Sequence, residues 1–299
     1  MKKNTGVIGC GWFGQSHSRV YSEISNLVAV CDINERNAKT VADKYGVNWY
    51  TDPKDMLKEQ LDAVSIVIPP DQIPDIANLC VSKGVSTLLE KPIATNIEKI
   101  KRILEYDESV RIMPGFIELF NPVFDVFKEK IPNIGKPIMA NTRRIGPSPR
   151  RFWNIGVIMD LAFHDLYLLK NIFNFLEIIE SVKIKITDEQ FEDAAVIILD
   201  LGENIRGITE ANWITPTRER TLRVYGDEAT IETNFVTQEV TITHKYDVDN
   251  NKLVNYKPKY SIEPLKRELN EFLYSKHNPI PLSEGIDILE ITLKATNMK

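Results

Sequence analysis

Cysteine is scarce in this chain: Cys10, Cys31 and Cys80 are the only three in 299 residues, and no two are spaced as CxxC. A disulfide framework is therefore excluded. Each cysteine lies in an apolar strand or helix context that predicts a buried thiol, as expected of a protein kept in a reducing cytoplasm. Positive charge is not in excess either. With 37 Lys and Arg against 42 Asp and Glu, the formal net charge is −5. That balance gives no general attraction to nucleic acid or to an anionic membrane surface. No window approaches the roughly 18 uninterrupted apolar residues of a membrane span, and "MKKNTGVIGCGWFG" holds no run that predicts a signal peptide. Internal repeats, low-complexity tracts and an evident metal-ligand cluster are also missing.

What remains is a composition of 43% hydrophobic and 26% charged residues, typical of a globular protein, at a length that favours two domains over one core. Up to about residue 118, short Val- and Ile-rich runs alternate with helical patterns. "NTGVIG", "NLVAVCD", "AVSIVIPP", "VSTLLE" and "VRIMPG" read as strands. "WFGQSHSRVYSEI", "NERNAKTVADKYG", "QIPDIANLCVSKG" and "NIEKIKRILEYDE" read as helices. Near-continuous apolar strands alternating with helices predict a parallel sheet covered on both faces. From about residue 181 the period falls to two, in "SVKIKIT", "AAVIILDL", "IRGITEANW", "RTLRVYG", "ATIETNF" and "EVTITH". These predict antiparallel strands. "EPLKRELNEFLYSK" and "SEGIDILEITLKAT" predict amphipathic helices that close the second domain.

The first strand runs into "GCGWFG", with Gly9, Gly11 and Gly14 in G-x-G-x-x-G register before a helix. In that context the first glycine permits a tight turn, the second admits a pyrophosphate to the backbone, and the third lets helix and strand pack closely. Trp12 and Phe13 belong to the same turn, and Pro69 follows the third main strand. Asp32 ends the second strand about 20 residues on, where a carboxylate accepts hydrogen bonds from a ribose and repels a 2′-phosphate. NAD is the expected cofactor; Arg36, one turn later, keeps NADP possible. Otherwise "GCGWFG" is an ordinary turn and Asp32 a helix cap.

"GVIMDLAFHD" breaks an apolar helical pattern with Asp160 and His164, an i, i+4 pair on one face. Histidine near neutral pH suits removal of a hydroxyl proton, with the carboxylate orienting the ring or the substrate. On the bland alternative, Asp160 caps a helix and His164 is a satisfied core residue. Lys91 in "LLEKPIATN" is held between Glu90 and Pro92 at the edge where such sheets bind ligands, and is a rival base. His17 is expected to hydrogen-bond within the first helix, and Asp165 to face solvent or a backbone N–H. "NTRRIGPSPRRFWN" places Arg143, Arg144, Arg150 and Arg151 around a Gly-Pro-Ser-Pro loop, either lining a phosphate site or solvated and paired with acids. Thr215 to Arg218, "TPTR", either touch substrate or only turn the chain.

Taken together, "GCGWFG", "EKP", "GFIELFNP" and "GVIMDLAFHD" resemble the glucose–fructose oxidoreductase / inositol dehydrogenase (Gfo/Idh/MocA) family over essentially the whole chain. The resemblance implies an α/β protein with a Rossmann dinucleotide-binding domain over residues 1–118. A substrate-binding and oligomerisation domain follows over 119–299, an α+β unit built on an open, mostly antiparallel mixed sheet. It implies NAD-dependent oxidation of a secondary hydroxyl to a ketone, with Lys91, Asp160 and His164 catalytic and no metal. Gly9, Gly11, Trp12, Phe13, Gly14, Asp32, Arg36, Pro69, Glu90 and Lys91 would bind the cofactor. The leading substrate is the 3-hydroxyl of UDP-N-acetylglucosamine or a related sugar nucleotide. The alternatives are a free polyol or sugar, or a non-catalytic nucleotide sensor. The family also implies a homo-oligomer, dimer or tetramer, paired through the open sheet face. The chain departs from the family's pattern at "PPD" with Pro74, at "HDLY" with Tyr167, and at Glu118 and Leu119.

Overall fold

A computed structural model of the chain describes residues 2–106, 110–147, 154–186, 190–244 and 253–298; Arg150 and Arg151 lie outside these. The described chain divides into two compact units, one of Met1–Ile117 with Leu265–Leu289, the other of Glu118–Pro264 with Glu290–Lys299.

The first unit holds a six-stranded sheet of β1 (Asn4–Ile8), β2 (Asn26–Cys31), β3 (Asn48–Tyr50), β4 (Ala63–Ile66), β5 (Ser86–Glu90) and β6 (Ile112–Gly115). The order is β3-β2-β1-β4-β5-β6 and every pairing is parallel. That order reverses at β1, so a crevice opens at the carboxyl ends of β1 and β4, where doubly wound sheets bind nucleotides. Helices α1 (Trp12–Ile24), α2 (Glu35–Tyr45), α3 (Pro53–Met56), α4 (Ile73–Val81) and α5 (Ile97–Lys101) connect the strands. Their ends follow local chemistry. Asn34 caps α2 by accepting from the Arg36 N–H, and Gly46 closes the same helix at φ 67°, a left-handed conformation costly for any residue with a Cβ. Two short elements, β3 and α3, carry too few residues to show a period.

The second unit is built on an eight-stranded sheet. Its strands are β7 (Pro137–Pro147), β8 (Glu177–Ile184), β9 (Ala194–Asp200), β10 (Arg206–Asn212), β11 (Ile214–Gly226), β12 (Ala229–Asn234), β13 (Glu239–His244) and β14 (Leu253–Tyr256). The order is β14-β13-β12-β11-β7-β10-β9-β8, and only β7 with β10 is parallel. The alternation in β9 and β12 puts Ile197, Leu199 and Ile231 in the core. Helices α6 (Pro122–Lys130) and α7 (Phe163–Phe173) belong to this unit. The arginine-rich bridge expected as a loop is instead strand β7 as far as Pro147.

The two carboxyl-terminal helices, α8 (Pro264–Tyr274) and α9 (Leu282–Asn297), do not simply close the second domain. From Leu265 to Leu289 they belong to the first unit, so a boundary at 118/119 with everything beyond it in one domain does not describe the chain. Side chains tie them there. The Arg111 guanidinium donates to the carbonyls of Glu271 at 3.2 Å and Ser275 at 2.6 Å, satisfying acceptors at the end of α8. Lys266 pairs with Glu23 at 2.8 Å, and Asn278 donates to the Ile112 carbonyl. None of these partners is near its mate in sequence.

Candidate active site

In the first unit the glycine-rich turn has the geometry its sequence predicts. Gly9 sits at φ 98°, and a Cβ there would come within 2.0 Å of the Val67 carbonyl oxygen. A Cβ on Gly14 would meet the Gly9 carbonyl at 1.8 Å, so α1 lies directly on the turn. Gly11 is different: nothing lies within 4 Å of where its Cβ would stand. It precedes α1 with no side-chain cap, leaving the positive end of the helix dipole to whatever approaches.

Asp32 faces this turn rather than capping a helix. One carboxylate oxygen accepts the Cys10 N–H at 2.7 Å and the other the Asn34 N–H at 2.8 Å. Two fixed backbone donors hold the carboxylate in place at the end of β2. Arg36 is exposed in the first turn of α2, Pro69 is exposed beyond β4, and Trp12 is 71% exposed with its ring stacked on Phe13. The Cys10 and Cys31 thiols are buried and pushed up to about 12, chiefly by burial and then by the Asp32 charge, so neither is a nucleophile at neutral pH.

Glu90 and Lys91 follow at the end of β5. Glu90 is buried, and its carboxylate receives the Lys91 N–H at 3.2 Å. Its other oxygen lies 3.2 Å from His17 Nε2, off the line of a hydrogen bond. His17 therefore does not bond within its own helix. It packs edge-on to Phe13 and reaches across to Glu90. Sequence position gave no hint of this, because α1 and β5 are brought together only by the fold.

In the second unit the apolar stretch is not one regular helix. Ile158–Ala162 form a π-helical turn that passes into α7 at Phe163. Such turns widen the helix locally and frequently accompany functional sites. Asp160 lies on the π turn, partly exposed, and His164 on the first turn of α7, 9% exposed. Glu192, a residue the sequence did not single out, secures the start of this segment. Its buried carboxylate accepts the Ile158 N–H at 3.0 Å, and Gly156 leaves it room.

Behind His164 lies a buried polar network. His164 Nδ1 is 2.9 Å from the Tyr167 hydroxyl, which also accepts the Glu118 N–H at 3.0 Å. The Glu118 carboxylate takes hydrogen bonds from Arg144 and from Asn121, each at 2.9 Å. Arg144 donates its Nε to Asp165 at 3.1 Å, and Arg220 stands 3.6 Å from Glu118. Asp165 thus faces neither solvent nor a backbone N–H but a buried arginine. Burial pushes its carboxyl up to about 6 against the pull of Arg144. Burial would raise Glu118 as well, but Arg144, Asn121 and Arg220 together hold it below the usual glutamate range. Burial would lower Arg144, and the two carboxylates more than reverse that.

The two described arginines of the bridge, Arg143 and Arg144, are both paired with acids. Arg143 pairs with Glu210 at 2.8 Å and Glu219 at 2.9 Å, and Arg144 is buried with Glu118 and Asp165. Arg220 is different, held below the usual arginine range by burial, then by Arg144 and, further down, by Arg218. Arg218 is exposed on the same strand, beside Glu219, which Arg143 holds. The strand's register shifts between Ile214 and Glu219, and within that irregularity Asn212 accepts both the N–H and the hydroxyl of Thr215. Among the described residues no group of three or more His, Cys, Asp or Glu is placed to hold a metal.

A parallel sheet in the order 3-2-1-4-5-6 with this turn at its first crossover defines a dinucleotide-binding protein. The comparisons carry the identification further. Residues 3–114 match the description "Oxidoreductase family, NAD-binding Rossmann fold" and residues 132–232 match the "GFO/IDH/MocA C-terminal domain". The chain belongs to the GFO/IDH/MocA family of oxidoreductases, and residues 3–114 of its first unit are the family's NAD-binding Rossmann fold.

Among its relatives, UDP-N-acetylglucosamine 3-dehydrogenase of Acidithiobacillus ferrooxidans is 32% identical over 166 residues, 55% of this chain and 52% of that protein. Inositol 2-dehydrogenase 2 of Saccharopolyspora erythraea is 28% identical over 177 residues, 56% of this chain and 52% of that one. The chain thus spans about half the length of these two relatives. The solved structure of the Acidithiobacillus ferrooxidans enzyme superposes with a TM-score of 0.88 at 24% identity, covering 99% of this chain and 97% of that one.

Proposed function

We propose that the protein is an NAD-dependent dehydrogenase that oxidises a secondary hydroxyl of a sugar nucleotide to a ketone, with the 3-hydroxyl of UDP-N-acetylglucosamine as the leading candidate. The observation that carries this reading is the placement of His164. An imidazole 9% exposed on an apolar helix, one turn beyond the partly exposed carboxylate of Asp160, sits in a chain whose other unit is an NAD-binding Rossmann domain. In this reading the first unit serves the cofactor and the second the substrate.

The turn at Gly9, Gly11 and Gly14 fits a dinucleotide. The open space at Gly11 admits the pyrophosphate, and the uncapped start of α1 with Trp12 and Phe13 receives its charge. Asp32, already fixed by two backbone donors, offers its remaining lone pairs to a ribose diol, and its charge disfavours a 2′-phosphate. Pro69, Glu90 and Lys91 complete the cofactor's surroundings, with Arg36 standing where NADP would need it. When bound, NAD accepts the hydride from the carbinol carbon. Lys91, Asp160 and His164 handle the hydroxyl. Lys91 places a cation near the oxygen on which negative charge develops, Asp160 orients the sugar or the imidazole, and His164 removes the proton, with Lys91 as the rival base.

A diphosphate in the substrate would suit Arg218, exposed on β11, since Arg143 and Arg144 are paired with carboxylates. The similarity to an inositol 2-dehydrogenase favours a second reading, oxidation of a free polyol. NADH formation by the purified protein across a panel of UDP-sugars and free polyols separates the two. Reaction with the UDP-sugars alone is the outcome expected here. The outward face of the eight-stranded sheet, where Val182 and Val196 stand opposite one another 49% and 38% exposed, supports assembly into a homo-oligomer through that face.

A further inference from the structure

Glu90 ends β5 with its carboxylate turned back into the protein, where it is only 6% exposed. Its Oε2 accepts the Lys91 N–H at 3.2 Å, which ties the start of the turn beyond β5 to the last side chain of the strand. Its Oε1 has no hydrogen bond and lies 3.2 Å from His17 Nε2. His17 is wholly buried on α1, and neither of its ring nitrogens has a hydrogen bond. An imidazole and a carboxylate in a dry core are costly to keep unless each has a polar neighbour. The space around these two is arranged for that. Gly115 stands opposite Glu90 on β6, and a Cβ there would come within 2.9 Å of Oε1. Phe13 meets the His17 ring edge-on at 4.9 Å and limits how the imidazole can turn. Tyr21, one turn further along α1, has its hydroxyl 2.7 Å from Ser65 Oγ instead.

We infer that His17 is a positioning residue that holds the Glu90 carboxylate against the Lys91 N–H, so that the first helix fixes the turn carrying Lys91. The contact acts as a polar pair, and a small rotation of the ring would complete a hydrogen bond. Phe13, His17, Glu90 and the Lys91 N–H then form one line of contacts from the glycine-rich turn to the end of β5. Every member of that line lies in the first unit. What the line does for the cofactor rests on the reading that Glu90 and Lys91 border NAD.

The test is backbone amide exchange at Lys91, read by NMR on the protein without cofactor or sugar. In His17→Leu the carboxylate loses its polar neighbour, and the Lys91 amide should exchange about tenfold faster, as for the loss of one hydrogen bond. The sheet-paired amides of β5 should keep their wild-type rates, which separates this effect from general loosening. His17→Gln, whose amide can donate to Oε1, should restore slow exchange. An unchanged Lys91 amide in a folded His17→Leu overturns the inference, as does a His17→Gln protein that behaves like His17→Leu. Should His17→Leu fail to fold, Glu90→Gln decides: the ring-nitrogen resonances of His17, assigned by their loss in His17→Gln, should move, and resonances that stay in place overturn the inference. NAD affinity should fall in His17→Leu and recover in His17→Gln. Faster exchange with unchanged NAD affinity would defeat the reading of Glu90 and Lys91 as cofactor neighbours and leave the positioning contact standing.

Discussion

Arg144 and Asp165 are both shut away from solvent, and the guanidinium Nε of one reaches the carboxylate of the other at 3.1 Å. The same guanidinium holds Glu118, so a single cation serves two buried acids. Replacing it with Met leaves both carboxylates without their main partner. Breaking a buried pair in this way typically costs about 3–5 kcal/mol. Equilibrium denaturation of Arg144→Met should show a loss of that order, and a change below about 1 kcal/mol would mean the cluster contributes little.

The same pair predicts a pH dependence with a definite sign. Burial pushes Asp165 up to about 6, above its value in the unfolded chain. The protonated form is therefore favoured by folding. That contribution is fully present below about pH 4 and is lost as pH rises through about 6. Asp165→Asn does not titrate. Between these limits the wild-type protein should lose stability relative to the variant as pH rises, measured by denaturation at matched ionic strength. A difference that stays constant, or runs the other way, would contradict the burial argument.

How far such features could be read in advance depended on whether their partners are neighbours in sequence. The alternation of apolar strands with helices gave the parallel sheet, and Gly9, Gly11 and Gly14 gave its turn, because each signal lies within one short segment. The cluster at Arg144 takes its members from a strand, from the segment before α6 and from α7, so no spacing rule announces it. Arg143 and Arg144 looked alike in the sequence; their neighbours in the sheet put one on the outward face and the other in the core. The π turn at Ile158–Ala162 was also hidden. Its first N–H, that of Ile158, is held by Glu192 from a distant segment. Likewise α8 reads as amphipathic, but it takes distant partners such as Arg111 and Glu23 to reveal which unit it joins.

Cofactor choice rests on Asp32. Its carboxylate should favour the free ribose diol of NAD over the phosphorylated ribose of NADP. Titration calorimetry should show tighter binding of NAD, and Asp32→Ala should narrow the gap by removing the repulsion. Equal or reversed affinities in the wild-type protein would sink the assignment.

Substrate charge can be probed at the edge of β11. If Arg218 meets a diphosphate, Arg218→Ala should raise KM for a UDP-sugar about tenfold or more, in line with the loss of one charge-assisted hydrogen bond. Its kcat should change little, and thermal stability should be kept, since Arg218 is exposed. An unchanged KM would remove this residue from the site.

Assembly can be tested on the outward sheet face. Val182 and Val196 are cross-strand neighbours, both exposed in a single chain. Light scattering should report at least a dimer at micromolar concentration, and Val196→Glu should split it without unfolding the subunit. A monomeric wild-type protein of 34.2 kDa would refute the pairing.

The central claim, that Lys91 and His164 act on the reacting hydroxyl of a sugar, is tested most directly by turnover of the His164→Ala and Lys91→Ala proteins on whichever sugar gives NADH with the wild type. Each should lose on the order of 10²–10⁴ in kcat, the range typical of a lost proton-handling group. NAD affinity should stay near wild type in His164→Ala and fall modestly in Lys91→Ala. A correctly folded His164→Ala protein with undiminished turnover would contradict the account and return that histidine to the hydrophobic core.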